Sequence, residues 1–288
     1  MKPQSLKTKI FLDSGDPQET REAISILGFL DGQTTNPSLI SKNPAAKDAL
    51  QEGKKFSLEK LYRLYREIVS EISSLMPDGS VSIEVYADSE TTSREMIAQG
   101  KEMFLWIPNA HIKYPITRDG LTAASISLKE NIRTNMTLCF TQEQAGAVHS
   151  ATIRAKAGEV FVSPFVGRLD DAGFNGMGLI ENILKMYREN KSRVQVLTAS
   201  VRNLDHFLYA IRIGSDIITS PLKILKEWAD TDLKLPDENF IYKPQQTLRP
   251  IPYIELQLNR DWTAFNTFHE LTDAGLRRFS ADWNSLLK

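Results

Sequence analysis

A lysine inside a short strand, with acids at the ends of neighbouring strands, is an arrangement from which covalent carbonyl chemistry can be built. In His111-Ile112-Lys113-Tyr114-Pro115-Ile116-Thr117, alternation puts His111, Lys113 and Pro115 on one face and Ile112, Tyr114 and Ile116 on the other. A helical run from Leu121 to Leu128 follows directly, with Thr117 placed as its cap. A parallel strand covered by its own crossover helix is buried on its outer face, so Lys113 is expected to point into the layer beneath. Burial strips water from an ammonium group and favours the neutral amine, which attacks carbonyls. The bland alternatives are a lysine that snorkels to solvent or pairs with a carboxylate.

Other strand ends carry polar residues too. The first expected strand ends at Asp13, the second runs into Asn36, and the third holds Glu84 between Ile83 and Val85. The fifth places Asn135 and Thr137 on one face, the sixth has Ser163 with Arg168 beyond it, and the seventh ends at Ser200 with Arg202 two positions on. One buried polar residue is usually structural. A lysine and two acids among polar ends on seven strands are poorly explained by stability, because burying them costs roughly several kcal/mol. Arg168 and Arg202 suit a phosphate, since a guanidinium offers paired donors, and Arg202 precedes a helix start near Asn203. A pair of surface arginines reads equally well.

Compact strands alternating with helices must position these groups. Strands are expected at 9–14, 29–31, 81–86, 111–116, 132–140, 159–166, 193–200 and 216–220. Asp16, Pro17 and Glu19 suggest a capping box before a helix to about Leu27, and Thr141 to Gln144 suggests another. Leu58, Leu61, Leu64, Tyr65, Ile68, Ile72 and Leu75 follow helical spacing, and Pro221 opens the helix after the last strand. Eight strands alternating with helices favour a (β/α)₈ TIM barrel over an open doubly wound sheet. The cluster Gly173 to Gly178 comes too late after its strand for a dinucleotide site and reads as a plain loop. The pattern breaks after residue 229. In the prolines of 230–260, two alternating runs (Asn239 to Lys243 and Tyr253 to Leu258) could form a hairpin, and a final helix is expected from Thr272 to Leu287. Residues 1–288 read as one barrel domain with 230–288 as an appendage packed on it.

The 288 residues carry 35 Lys and Arg against 36 Asp and Glu, so no field points at nucleic acid or an anionic membrane. Cys139 is the one cysteine and the four histidines are scattered, which leaves no disulfide and no metal-ligand spacing. No apolar run marks a signal peptide or a membrane span, so a soluble, cytoplasmic protein is expected.

The motifs LDSGD (12–16), TTNPSLI (34–40), IEVYAD (83–88), KYPIT (113–117), TNMTLCF (134–140), VSPFVGRLDD (162–171), ASVRN (199–203) and HELTDAGLRRFSADW (269–283) together make the sequence resemble transaldolases. Trp106 to Ala110, Tyr114 and the 230–260 segment depart from the best-known members. The resemblance implies a Schiff base between Lys113 and a ketose. Asp13 is then the acid/base at the breaking carbon–carbon bond, and Glu84 shuttles protons through a water held by Thr137. Asn36, Asn135 and Ser163 hold substrate hydroxyls, Arg168, Arg202 and Ser200 hold the phosphate, and Thr34 and Phe165 complete the binding set. It implies transfer of a dihydroxyacetone unit between sugar phosphates of the pentose phosphate pathway, with no metal or organic cofactor. A homo-oligomer is compatible with it. The first rival is a fructose-6-phosphate aldolase of the same family, which carries Gln where Glu84 stands and Tyr where Phe165 stands. A non-catalytic sugar-phosphate-binding barrel would have lost Lys113, Asp13 or Glu84, and a metal-dependent aldolase would need histidine clusters.

Overall fold

Gly32 shows how tightly the sheet closes. A Cβ there would lie 2.4 Å from the Ser80 carbonyl oxygen and 2.5 Å from the Phe11 ring, so only glycine lets the second strand lie between its neighbours. In the computed structural model, which describes residues 2–244 and 247–288, eight parallel strands form a closed barrel in sequence order. They are β1 (Lys9–Asp13), β2 (Gly32–Thr34), β3 (Ser80–Glu84), β4 (Ala110–Pro115), β5 (Thr134–Cys139), β6 (Val160–Pro164), β7 (Gln195–Thr198) and β8 (Ile217–Ser220). The fold is the expected (β/α)₈ barrel.

The first helices are α1 (Pro17–Leu27), α2 (Pro37–Ile40), α3 (Pro44–Gln51), α4 (Leu58–Leu75), α5 (Ser93–Phe104) and α6 (Arg118–Lys129). After them come α7 (Gln142–Ala151), α8 (Val166–Asp171), α9 (Gly176–Glu189), α10 (Leu204–Ile213), α11 (Leu222–Ala229) and α12 (Glu270–Asn284). On α4 the expected face is buried at Leu61, Tyr65, Ile68 and Ile72, whereas Leu58 in the first turn is 54% exposed.

Several local expectations are corrected. The second strand starts at Gly32, the first residue to face both Phe11 and Ser80, after the expected Phe29–Asp31. Asp31 leads into it, with its N–H on Ile10 O at 2.9 Å and its side chain on the Ile10 N–H at 2.8 Å and on Lys2 at 2.7 Å. The capping box at Asp16 and Glu19 does not form. Asp16 accepts from Gln18 N, but its own N–H goes to Ser14 Oγ at 3.1 Å, and Glu19 accepts from that same serine hydroxyl. At Thr141 only half a box forms, since the Gln144 side chain turns to Phe140 N, Thr267 O and Thr272 Oγ1. The reciprocal box lies at Thr92 and Glu95, opening α5.

The hairpin expected within 230–260 is absent among the described residues. Neither Asn239 to Lys243 nor Tyr253 to Leu258 is a strand, and the one bridge there joins Phe174 to Arg249. Prolines 236, 244, 250 and 252 offer no N–H to a ladder. Side-chain amides hold the segment instead. Gln142 accepts from Ile254 N at 2.9 Å and donates to Ile254 O at 3.0 Å, and Asn182 donates to Ile251 O at 2.9 Å. Beyond it, α12 buries Leu276, Phe279 and Trp283. The contact between Ser38 Oγ and Asp282 Oδ2 ties this helix to α2.

Inside the barrel, the lower layer is aromatic: His111 stacks on Phe161 at 4.1 Å, and Phe11 meets Phe161 edge-on at 6.2 Å. Burial pushes the His111 imidazole pKa down to about 3, so it stands neutral between Ser80 Oγ at 2.7 Å and Gly158 O at 2.9 Å. Above it the inward positions turn polar.

Candidate active site

A cavity of about 470 Å³ opens at the carboxyl ends of the strands. Alternation from the buried His111 brings Lys113, two residues on, to its floor. The Lys113 side chain is 4% exposed; Nζ lies 2.9 Å from Glu84 Oε2 and donates to Thr35 O at 3.1 Å. The register of β3 on β4 sets Glu84 beside Lys113, so the pairing follows from how these two neighbouring strands align. Burial raises the Glu84 pKa above the usual carboxylate value, and the charge of Lys113 opposes that rise.

Asp13, at the end of β1, also lines the cavity and accepts from Thr34 Oγ1 at 2.6 Å. Thr34 in turn lies 2.6 Å from Thr219 Oγ1. Burial raises the Asp13 pKa; Lys113 and the Thr34 hydrogen bond hold the rise back. Two acids are thus kept closer to a proton-exchanging range than free carboxylates, with the Lys113 amine within electrostatic reach of both.

The remaining expected residues fall into two groups. Asn36, Ser163, Phe165, Arg168, Ser200 and Arg202 line the cavity with Thr34. Asn36 also caps α2 by accepting from Leu39 N at 2.9 Å. Asn135 and Thr137 lie beneath the floor. Asn135 is fully buried, with its amide engaged by Ser82 Oγ at 3.0 Å and Ser163 Oγ at 2.6 Å. Thr137 Oγ1 is buried without a hydrogen-bonding partner among the described residues, and Glu84 Oε2 has none beyond its ion pair. Beside Thr137 the chain bulges, and Leu138 takes a left-handed backbone at φ 61°.

At one side of the cavity, cations are gathered. The Arg168 guanidinium lies 5.1 Å from the Phe165 ring centre and 5.3 Å from that of Phe279, and no carboxylate is in ion-pair range among the described residues. Burial works against its charge, and Arg278 and Arg202 repel it further. Three mutually repelling guanidinium groups around a cavity favour an anion. Arg202 is half exposed and pairs with Asp171 at 2.8 Å. Ser200 holds a left-handed backbone at φ 58° in the loop that ends at the α10 cap, Asn203.

Sequence reading missed Thr219, Lys42, Arg278 and Phe279, which also line the cavity. Thr219 had a signal, since it stands near the end of β8 as the other polar residues stand near theirs. Arg278 and Phe279 fall within the motif at 269–283, yet nothing local says that α12 crosses the mouth.

Comparison with known proteins places the chain in a family. A family model described as Transaldolase/Fructose-6-phosphate aldolase matches residues 10–288. A protein of Dehalococcoides mccartyi named "Probable transaldolase" is 35% identical over 280 residues, 97% of this chain and 100% of that one. One of the same name from Caulobacter vibrioides is 35% identical over 277 residues, 96% of this chain and 97% of that one. Among solved structures, 3-hexulose-6-phosphate synthase from Salmonella typhimurium aligns with a TM-score of 0.49 at 10% identity, over 79% of this chain and 98% of that one. With a buried lysine beside one carboxylate, a second carboxylate in the same cavity and matching relatives along its whole length, the chain belongs to the transaldolase/fructose-6-phosphate aldolase family.

Proposed function

We propose that this protein is a transaldolase acting on sugar phosphates in the cytoplasm through a Schiff base on Lys113. The observation that carries the reading is the buried pair of Lys113 and Glu84, 2.9 Å apart, whose lysine lies on the floor of a cavity that Asp13 shares. Such a pair is a poor device for stability alone, since its desolvation offsets its attraction.

Glu84 takes a proton from the Lys113 ammonium, and the neutral amine adds to the ketone of fructose 6-phosphate or sedoheptulose 7-phosphate. The proton shed by the attacking nitrogen passes to the former carbonyl oxygen to give the carbinolamine. The carbinolamine then loses water when Glu84 returns its proton through a water lodged between Glu84 Oε2 and Thr137 Oγ1, both of them buried oxygens without another hydrogen bond. Asp13 removes the proton of the hydroxyl beyond the breaking bond, the carbon–carbon electron pair flows into the iminium, and an aldehyde departs. The enamine on Lys113 next attacks glyceraldehyde 3-phosphate or erythrose 4-phosphate. Asp13 returns its proton to the new hydroxyl, and hydrolysis of the iminium frees the product ketose. Asn36 and Ser163 face the sugar hydroxyls, and Asn135 steadies Ser163 from below. Arg168, Arg202 and Ser200 receive the phosphate.

Transfer, and not release of free dihydroxyacetone, is favoured by Glu84 and Phe165. Phe165 offers the enamine side of the cavity a ring with no donor for a protonating water. Borohydride added with fructose 6-phosphate should inactivate the enzyme and label Lys113 alone, and Lys113→Arg should abolish both labelling and activity. Labelling at another lysine, or full activity in that variant, would sink the mechanism.

A further inference from the structure

Behind the Lys113–Glu84 pair runs a hydrogen-bonded chain that the reaction scheme leaves without a role. Tyr65, on α4, is fully buried, its ring edge-on to Trp106 at 5.8 Å and tilted against Trp283 at 5.9 Å. Its hydroxyl accepts from Glu84 N at 3.0 Å and lies 2.7 Å from Thr35 Oγ1. The Thr35 hydroxyl donates to Ser82 O at 2.8 Å. A hydroxyl has one proton, so the direction is forced. Glu84 N–H donates to Tyr65, Tyr65 O–H to Thr35 Oγ1, and Thr35 O–H to Ser82 O. Burial holds the Tyr65 phenol pKa well above its usual value, so that proton stays in place.

The register explains what the phenol replaces. Thr34 stands opposite Ser82, and Thr35 N donates to Ser82 O at 3.0 Å. One further step of that parallel ladder would pair Glu84 N–H with the Thr35 carbonyl. Instead β2 ends at Thr34, Tyr65 takes the Glu84 N–H, and the Thr35 carbonyl is left to accept from Lys113 Nζ at 3.1 Å.

We infer that Tyr65 is a positioning residue of the reaction centre, holding the Glu84 backbone in place and releasing the Thr35 carbonyl to aim Lys113 Nζ. The inference rests on the Schiff-base reading above. The aromatic packing fixes the ring, so the place of the hydroxyl is set by the core and does not depend on substrate.

Tyr65→Phe deletes only the hydroxyl. Tyr62→Phe is the control, because Tyr62 lies on the same helix and in the same aromatic cluster, yet its hydroxyl donates to Gln99 Oε1 at 2.9 Å. In Tyr65→Phe, kcat and the rate of borohydride trapping on Lys113 should fall about tenfold or more, while KM for the ketose phosphate stays within about twofold. Tyr62→Phe should leave both rates unchanged. Unchanged rates in Tyr65→Phe, or an equal loss in Tyr62→Phe, would overturn the inference while trapping of the unmodified enzyme still upheld the Schiff base. Failure of the unmodified enzyme to be trapped would overturn both. Should Tyr65→Phe fail to fold, Thr35→Val, which removes the acceptor of the phenol proton, is measured in its place and read the same way.

Discussion

Arg202 and Asp171 are joined at 2.8 Å on the cavity rim, with half of the arginine side chain and two-thirds of the aspartate side chain in solvent. Arg168, on the same side of the cavity, has no such partner among the described residues and rests between two aromatic rings. An exposed pair contributes little to stability, so its consequence is for binding: an anion must draw Arg202 away from Asp171, whereas Arg168 is free to receive it.

The two arginines should therefore differ on substitution. Arg168→Ala should cost about 1–3 kcal/mol in kcat/KM for phosphorylated donors, and Arg202→Ala less. Asp171→Asn should lower KM for those donors, because the competitor for Arg202 is gone. Kinetics with free dihydroxyacetone as donor check the assignment, since losses there as large as with a phosphorylated donor would make these arginines supports of the fold.

Asp13 gives a pH dependence in two directions. Burial raises its pKa in the folded protein, so the acid limb of kcat/KM should lie above the ordinary aspartate value of about 4 and vanish in Asp13→Asn. That variant should lose about 10²–10⁴-fold in rate. Stability runs the other way. A folded pKa above the unfolded one contributes stability below the unfolded pKa, and this is lost as pH rises through the folded pKa. Asp13→Asn should consequently melt higher than the parent near pH 7, and the gain should disappear near about pH 3. An unchanged melting difference across that range would show that Asp13 is not desolvated as the structure has it.

Phe165 separates transfer from release. Its ring lies 5.8 Å from that of Phe140, and it lines the cavity two residues beyond Ser163. Phe165→Tyr, alone or with Glu84→Gln, should raise release of free dihydroxyacetone relative to transfer, by supplying a hydroxyl that can seat a protonating water. The ratio is measured with fructose 6-phosphate, with and without erythrose 4-phosphate. An unmodified protein that already releases dihydroxyacetone as readily as it transfers it would mark this chain as an aldolase.

Gly275 places α12 against the site. A Cβ there would lie 2.5 Å from Leu138 Cδ2 and 2.6 Å from Arg168 Nη1. Both are ends of flexible side chains, and alanine favours the helix by up to about 1 kcal/mol over glycine. Gly275→Ala should therefore fold, with KM for phosphorylated donors raised severalfold through the displaced Arg168. A loss of melting temperature with KM unchanged would count against this coupling.

Alternation and capping lie within a few residues of each other, and that range is what the sequence alone determined. It was enough for the alternation of strands and helices, the inward aim of Lys113 and the polar strand ends, because side-chain direction in a strand is set by parity. The second strand was misplaced because its start is set by its partners Phe11 and Ser80, far from it in sequence, and the two capping boxes were lost to competing partners, Ser14 Oγ and Thr272 Oγ1. The hairpin failed because hydrophobic alternation says nothing about where backbone N–H groups find acceptors. Only the tertiary structure brought α12 across the mouth, where Ser38 meets Asp282, 244 positions away, and where Arg278 and Phe279 enter the cavity. Only the pairing of neighbouring strands set Glu84 beside Lys113 and left Thr35 O free for it, since both depend on the register between strands. The physical reason is one of range. A pattern of a few residues fixes which way a side chain points, but what it meets is decided when segments far apart in sequence pack together.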